Sequence, residues 1–314
     1  MRIRRMTART VSTILDPGIV FSYDRTGFLL HSQSFNPADL DVDLSGRRYL
    51  ITGANSGLGF ATAAALAARR AEVWLLCRSK ARGLDAQARI PFPTHLALLD
   101  LSDLDAIRRF CDQFEPDRID GLIHNAGILP DTYQRSACGL EMTLTTNLVG
   151  PHLLTRRLTP HLKNSDDGRL ILVSSGGMYA ERLSMDRLQL PAEGFDGVTA
   201  YARTKRAQVV AAEMLAEELA QTSITVSSMH PGWADTPGVQ HSLPTFRRLT
   251  RKILRSAEQG ADTIIWLAAA QAPRGQSGRF WFDRAPRKTH YVPWTREAPQ
   301  ERQRLIEALD GWIA

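Results

Sequence analysis

RRYLITGANSGLGFATAAALAARRAEVWLLCR, residues 47–78, decides the fold. RYLIT (48–52) is a short apolar strand, the alanine-rich run 58–70 reads as a helix, and EVWLLC (72–77) is a second buried strand. The stretch is therefore a βαβ unit, and Gly53, Gly57 and Gly59 fall at its strand-to-helix turn. A glycine trio by itself more often marks a turn than a nucleotide site. Placed between a strand and a helix, it brings backbone N–H groups and the positive end of the helix dipole against a pyrophosphate.

The alternation continues on the C-terminal side. Helices are expected at 80–89, 104–114, 139–163, 201–220 and 257–270, and strands at 95–99, 119–124, 169–173, 224–229 and 278–282, with a loop at 176–199. Strands alternating with helices imply an α/β fold: a doubly wound parallel sheet, Rossmann-type, in a single domain. Such sheets bind ligands beyond the carboxyl ends of their strands. Gly53, Asn125, Ser175 and Pro231 each directly follow a predicted strand and should share that edge. Residues 1–45, weakly periodic, read as an N-terminal arm, 46–285 as the domain and 286–314 as a C-terminal extension.

The 314 residues suffice for one large α/β domain, and 43% hydrophobic with 23% charged residues is ordinary for a globular protein. Cys77, Cys111 and Cys138 form no CxxC pair, which argues against a disulfide framework or zinc site and for a reducing, cytoplasmic compartment. The net charge of +6 is partly local, in Arg2, Arg4, Arg5 and Arg9 and in Arg247, Arg248, Arg251, Lys252 and Arg255. Both clusters read as solvated basic surface, with no nucleic-acid partner expected. No apolar run is long enough to span a membrane, and the arginine-rich start lacks the apolar segment of a secretory signal. Peripheral membrane contact and a homodimer stay open. The histidines show no metal-ligand spacing, so no metal is expected.

Tyr201 and Lys205 lie four residues apart in TAYARTKRAQVV (199–210), so on a helix they share a face. The ammonium would favour phenolate over phenol, which makes the pair a proton-transfer device. Together with a nucleotide site, it suggests hydride transfer at a carbonyl or alcohol. After the second strand an acid would take a ribose hydroxyl, but Cys77 is followed by Arg78, whose guanidinium suits a 2′-phosphate. NADP(H) is thereby preferred over NAD(H). Asp100, after the third strand, is placed to meet the adenine.

TGANSGLG (52–59), HNAG (124–127), Asn147, Ser174-Ser175, the Tyr201/Lys205 pair and PGWADT (231–236) occur in the order found in short-chain dehydrogenases/reductases, and the chain resembles that family over residues 46–285. Within it, VSSGGMY (173–179), FDGVTAYARTKRAQVV (195–210) and SGRFWFDR (277–284) resemble one member closely. The resemblance implies Tyr201 as general acid/base, Lys205 lowering its pKa and holding the nicotinamide ribose, Ser175 on the substrate oxygen, and Asn147 interrupting a long helix to support a water leading toward Lys205. It also implies cofactor contacts from Gly53, Asn55, Ser56, Gly57, Leu58, Gly59, Arg78, Asp100, Leu101, Asn125, Ala126, Gly127, Pro231, Gly232 and Thr236. His124 stands where the family usually has Asn and is read as structural. The insertion between Ser175 and Tyr201, with Met178, Met185, Leu188, Leu190 and Phe195, is expected beside a lipophilic substrate, and residues 240–255 are expected to cover it as a flap.

The expected activity is therefore an NADP(H)-dependent oxidoreductase interconverting a carbonyl and an alcohol on a small molecule. The alternatives are a non-enzymatic nucleotide sensor on the same fold and an NAD-preferring alcohol dehydrogenase. A sugar-nucleotide epimerase is disfavoured by the TGxxxGxG spacing.

Overall fold

The structure, a computed structural model, describes residues 22–235, 248 and 250–314. Helix α1 spans Arg25–Ser32, strand β1 Arg48–Thr52, α2 Gly57–Ala67, β2 Glu72–Cys77, α3 Lys80–Arg89, β3 Thr94–Leu98, α4 Leu104–Asp112 and β4 Gly121–His124. A helical turn at Met142–Leu144 runs through a π-helical segment, Thr145–Val149, into α5, Gly150–Lys163. Then come β5 Arg169–Val173, α6 Gly197–Glu218, β6 Thr225–Met229, α7 Ala257–Ala269, β7 Arg279–Phe282, β8 Ala285–Pro286 and α8 Pro299–Ile313. The sheet order is β3-β2-β1-β4-β5-β6-β7-β8, parallel throughout except for the β7–β8 pair. The strand order reverses between β1 and β4, where doubly wound sheets open a crevice for ligands.

Alternate residues of each strand feed two cores, because successive side chains point to opposite faces. Leu50, Leu122, Leu170 and Val226 pack with Leu104, Leu153, Leu158 and Val210 on the α4, α5 and α6 side. Ile51, Val73, Leu75, Ile123 and Ile171 pack with Ala63, Leu66, Ile264 and Trp266 on the α2 and α7 side. Burial on both faces accounts for the near-continuous apolar runs of the strands.

The expected elements from 48 to 282 are present with ends shifted by a few residues, α6 starting at Gly197 rather than 201. Asp196 explains that earlier start, since its carboxylate accepts from the N–H groups of Val198 and Thr199. The 176–199 segment, expected as loop, contains a 3-10 turn at Gly176–Ala180 and a short helix at Met185–Leu188. The arm contributes α1, whose N-cap Asp24 accepts from Gly27 N, and the extension contributes α8, which buries Leu305 and Leu309 against α5 and α6.

Strand β4 ends in a buried histidine, His124, and another, His230, directly follows β6. His124 Nε2 meets Thr155 Oγ1 at 2.7 Å, and His230 lies parallel to Phe282, ring centroids 4.1 Å apart, with Gly232 N–H donating to its Nδ1. Burial pushes both imidazoles down to about 3. An unfolded histidine titrates near 6.5, so between pH 6.5 and 3 the unfolded chain binds the extra protons and stability falls as the pH falls. Each histidine should contribute a slope of about 1.4 kcal/mol per pH unit in that window. Urea titrations at a series of pH values should show stability dropping steeply below pH 6.5; a flat profile from pH 7 to 5 would contradict the burial of these two rings as neutral species.

Candidate active site

Gly53 and Gly57 hold φ values of +68° and +55°, which glycine adopts without the strain of a Cβ. A Cβ on Gly59 would lie 2.5 Å from both the Gly53 carbonyl oxygen and Asn125 Nδ2, so the turn can close only around bare backbone. Asn125 braces that turn: its Nδ2 donates to the Thr52 carbonyl at 3.0 Å, while its own N–H and that of Ala126 donate to Thr52 Oγ1. Ser56, at the N-cap of α2, makes no side-chain capping hydrogen bond, which leaves the first N–H groups of the helix for another acceptor. Arg78 closes β2 and faces Asp100 at 3.9 Å, both side chains partly exposed. At that distance and exposure the pair is weak and leaves the guanidinium able to take an anion.

The second half of the site grows from β5 and α6. Ser174 is buried and donates to the Lys205 carbonyl, fastening the strand to the helix. Ser175 Oγ accepts from Gly177 N–H at 3.3 Å and lies beside the Tyr201 phenol. Burial raises the Tyr201 phenol and the neighbouring Ser175 hydroxyl partly offsets this, with the net shift upward. The lowering that Lys205 was expected to impose is thus not the dominant influence here. Lys205 Nζ lies 5.3 Å from the Tyr201 ring centroid and donates to the Val173 carbonyl at 2.8 Å and to Gln208 Oε1 at 3.0 Å. Burial pushes the lysine down to about 7.

Asn147 sits in the π-helical segment, where the regular ladder of hydrogen bonds is broken. Its side chain accepts from Ile128 N–H and donates to the Ile128 carbonyl and Thr204 Oγ1, so it ties the loop after β4 to α6. Gly127 in that loop would bring a Cβ to 3.4 Å from Lys205 Nζ and 3.5 Å from Asn147 Oδ1. After β6, Gly232 has a φ of +74°, and a Cβ there would strike Arg255. Gly53, Asn125, Ser175, Tyr201, Lys205 and Pro231 therefore share the carboxyl edge of the sheet, and Asn147 lies behind them. Thr236, and most of the flap expected at 240–255, lie outside the described residues.

The insertion departs from expectation. Met178 packs with Val209 and Phe280, and Leu188 joins the main core, so neither lines a cleft. Phe195 instead meets Tyr133 edge to face at 5.6 Å, and Val198 is exposed at the start of α6. A small cavity of about 10 Å³ lined by Asn147, His152, Thr155 and Gln208 lies behind the lysine, large enough for a water at most. Among the described residues, no group of three or more His, Cys, Asp or Glu could hold a metal ion, and no helix is long and apolar enough to cross a membrane.

Tyr23, His31 and Asp283, not singled out from the sequence, also reach this edge, and so does Arg255, which was expected on a solvated basic surface but is buried because it pairs with the buried Asp283 carboxylate. Tyr23 packs against Gly176, next to Ser175, and its carbonyl accepts from Trp233 N–H. Arg255 donates to the Ser22, Asp24 and Pro231 carbonyls and pairs bidentately with Asp283 at 2.6 and 2.8 Å. His31 meets Asp283 at 2.6 Å. Burial alone would raise the Asp283 carboxyl, but the Arg255 guanidinium and then His31 override it and hold it below its ordinary value. Gln208, also not singled out, had a legible signal in its place one helical turn beyond Lys205.

The profile of the family described as short chain dehydrogenase matches residues 47–245. The chain belongs to the short-chain dehydrogenase/reductase family. It is 40% identical over 296 residues to human dehydrogenase/reductase SDR family member 12, covering 92% of this chain and 93% of that one. This is the member that the VSSGGMY and SGRFWFDR segments resemble. Human retinol dehydrogenase 12 is 34% identical over 252 residues, covering 77% and 79%. Among solved structures, an uncharacterized Mycobacterium paratuberculosis protein superposes with a TM-score of 0.71 at 27% identity, covering 89% of this chain and 97% of that one. A short chain dehydrogenase from Salmonella enterica gives 0.63 at 25% identity, covering 80% and 100%. The protein is thus an enzyme of the short-chain NAD(P)-dependent dehydrogenase/reductase class with a Rossmann-type fold.

Proposed function

We propose that this enzyme uses NADP(H) to interconvert a carbonyl and an alcohol on a lipophilic small molecule, with Tyr201 as general acid/base. The observation that carries the reading is the convergence of Ser175, Tyr201 and Lys205 on the sheet edge that also bears the glycine turn. The residues present fit a dinucleotide: the glycine-walled turn and uncapped start of α2 for the pyrophosphate, Arg78 for a 2′-phosphate, Asp100 and Leu101 for the adenine side, and Pro231 and Gly232 for the nicotinamide half. Bound there, the cofactor supplies or accepts a hydride. Ser175 donates a hydrogen bond to the substrate oxygen, and Tyr201 gives that oxygen its proton in reduction or takes it in oxidation. Lys205 as a cation stabilises the phenolate left behind and holds the ribose.

A lipophilic substrate is supported by the Tyr133–Phe195 pair and exposed Val198, and by the retinol dehydrogenases among the relatives, whose named substrate is an apolar alcohol. Cys77, Cys111 and Cys138 are free thiols, which supports a reducing compartment such as the cytoplasm.

Arg78 provides the test of cofactor choice. A charge-assisted contact to a 2′-phosphate is worth about 1.5–3 kcal/mol, or roughly one to two orders of magnitude in affinity. Arg78→Asp removes the cation and sets a carboxylate against the phosphate, so it should weaken NADPH far more than NADH. Titration of both cofactors into both proteins measures this. If the unaltered protein binds NADH as tightly as NADPH, the NADP assignment is wrong.

A further inference from the structure

Gln208 lies on α6 three residues beyond Lys205, so the two side chains leave one face of the helix. Its Oε1 accepts from Lys205 Nζ at 3.0 Å and its Nε2 donates to the main-chain carbonyl of Asn147 at 2.6 Å. Chemistry dictates that orientation: an ammonium only donates and a carbonyl only accepts, so a flipped amide would set donor against donor and acceptor against acceptor. Gln208 and Asn147 are both fully buried. The π-helical segment makes the Asn147 carbonyl available to a side chain from a neighbouring helix.

We propose that Gln208 is a positioning residue of the oxidoreductase site, its amide filling the gap between Lys205 and Asn147 where the family resemblance implies a water, and so fixing the lysine ammonium in place. The inference deepens the proposed mechanism and takes its catalytic meaning from it. A carboxamide, unlike a water, does not give up or take up a proton near neutral pH, so the bridge orients Lys205 without passing protons behind it. Gln208 supplies one of the two acceptors that the ammonium uses, the other being the Val173 carbonyl of β5. Around Lys205 stand Tyr201 from its own helix, Gly127 from the loop after β4 and Asn147 from the π-helical segment, and of these only Tyr201 can titrate. No charged neighbour contributes to the lysine's shift, which burial alone accounts for. The amide is thus a principal source of local stabilisation for the charge.

The test reads Lys205 directly, in the protein without added cofactor. The chain's lysines are Lys80, Lys163, Lys205, Lys252 and Lys288, so lysine labelled at Cε and Nζ gives a sparse NMR spectrum in which Lys205 is assigned by its loss in Lys205→Met. Gln208→Met keeps the shape and removes the acceptor; Gln208→Glu keeps an acceptor and adds an anion. Gln208→Met should lower the Lys205 titration midpoint by about one pH unit, the scale of a lost hydrogen bond to a charged group. Gln208→Glu should raise it by about one unit or more, the scale of an adjacent opposite charge. Opposite shifts support the proposal, while unmoved midpoints or shifts in one direction overturn it and reduce Gln208 to packing. If Gln208→Met fails to fold, an upward shift in Gln208→Glu supports the proposal and its absence overturns it. Should the titrations shift as expected while the unaltered protein turns over no substrate, the bridge stands and the oxidoreductase reading fails alone.

Discussion

Tyr201→Phe should lower turnover by about 100-fold or more, the scale of a lost general acid, while cofactor affinity should stay nearly unchanged. The substitution removes one oxygen from a ring held by α6 and leaves Lys205 with both of its acceptors, Val173 and Gln208. What disappears is the hydroxyl beside Ser175 to which the proposed mechanism gives the proton exchange with the substrate oxygen. Steady-state kinetics on any carbonyl compound that the unaltered protein reduces, with a cofactor titration in parallel, measures both effects. Near-normal turnover in a folded variant would remove Tyr201 from the chemistry.

The second large effect concerns stability. Arg255→Met should cost about 3–5 kcal/mol, because removing one partner leaves a buried carboxylate without its guanidinium. Asp283 is 4% exposed and Arg255 1%, so water replaces little of the lost pairing. The Ser22 and Asp24 carbonyls also lose the Arg255 guanidinium as donor, which removes two of the arm's attachments beside Gly232. Thermal melting should fall by roughly 10 °C. Asp283→Asn in the same chain removes the stranded charge, and asparagine tolerates the φ of +49° at that position, so the double variant should recover part of the loss. A melting temperature within a degree of the unaltered protein would show that the ion pair does not hold the arm.

What could be read from the sequence was what short-range chemistry determines. The βαβ stretch from 48 to 77 carries its own periodicity, its glycines and its apolar strands, and β1 and β2 lie at the residues expected. Tyr201 and Lys205 were legible because a four-residue spacing on one helix face is a local fact. Helix α1 was not, since it has only eight residues, buries just Gly27 and His31, and is held by Arg255 and Asp283 from the far end of the chain. Met178 and Leu188 were expected at the substrate for their apolar character, but tertiary packing turned both into the core. Helix α8 illustrates a different miss: Leu305 and Leu309 stand at helical spacing and were readable as a buried stripe.

In the proposed reaction this chain moves a hydride from NADPH to a lipophilic carbonyl with Tyr201 supplying the proton. That reaction is tested most directly with NADPH deuterated at the transferable position, a panel of apolar aldehydes and ketones, and mass spectrometry of the alcohols formed. One deuterium should appear on the carbinol carbon of at least one product, formed by the unaltered protein and reduced about 100-fold or more by Tyr201→Phe. Tight NADPH binding with no deuterated product from any member of the panel would contradict it and leave a nucleotide sensor on the same fold.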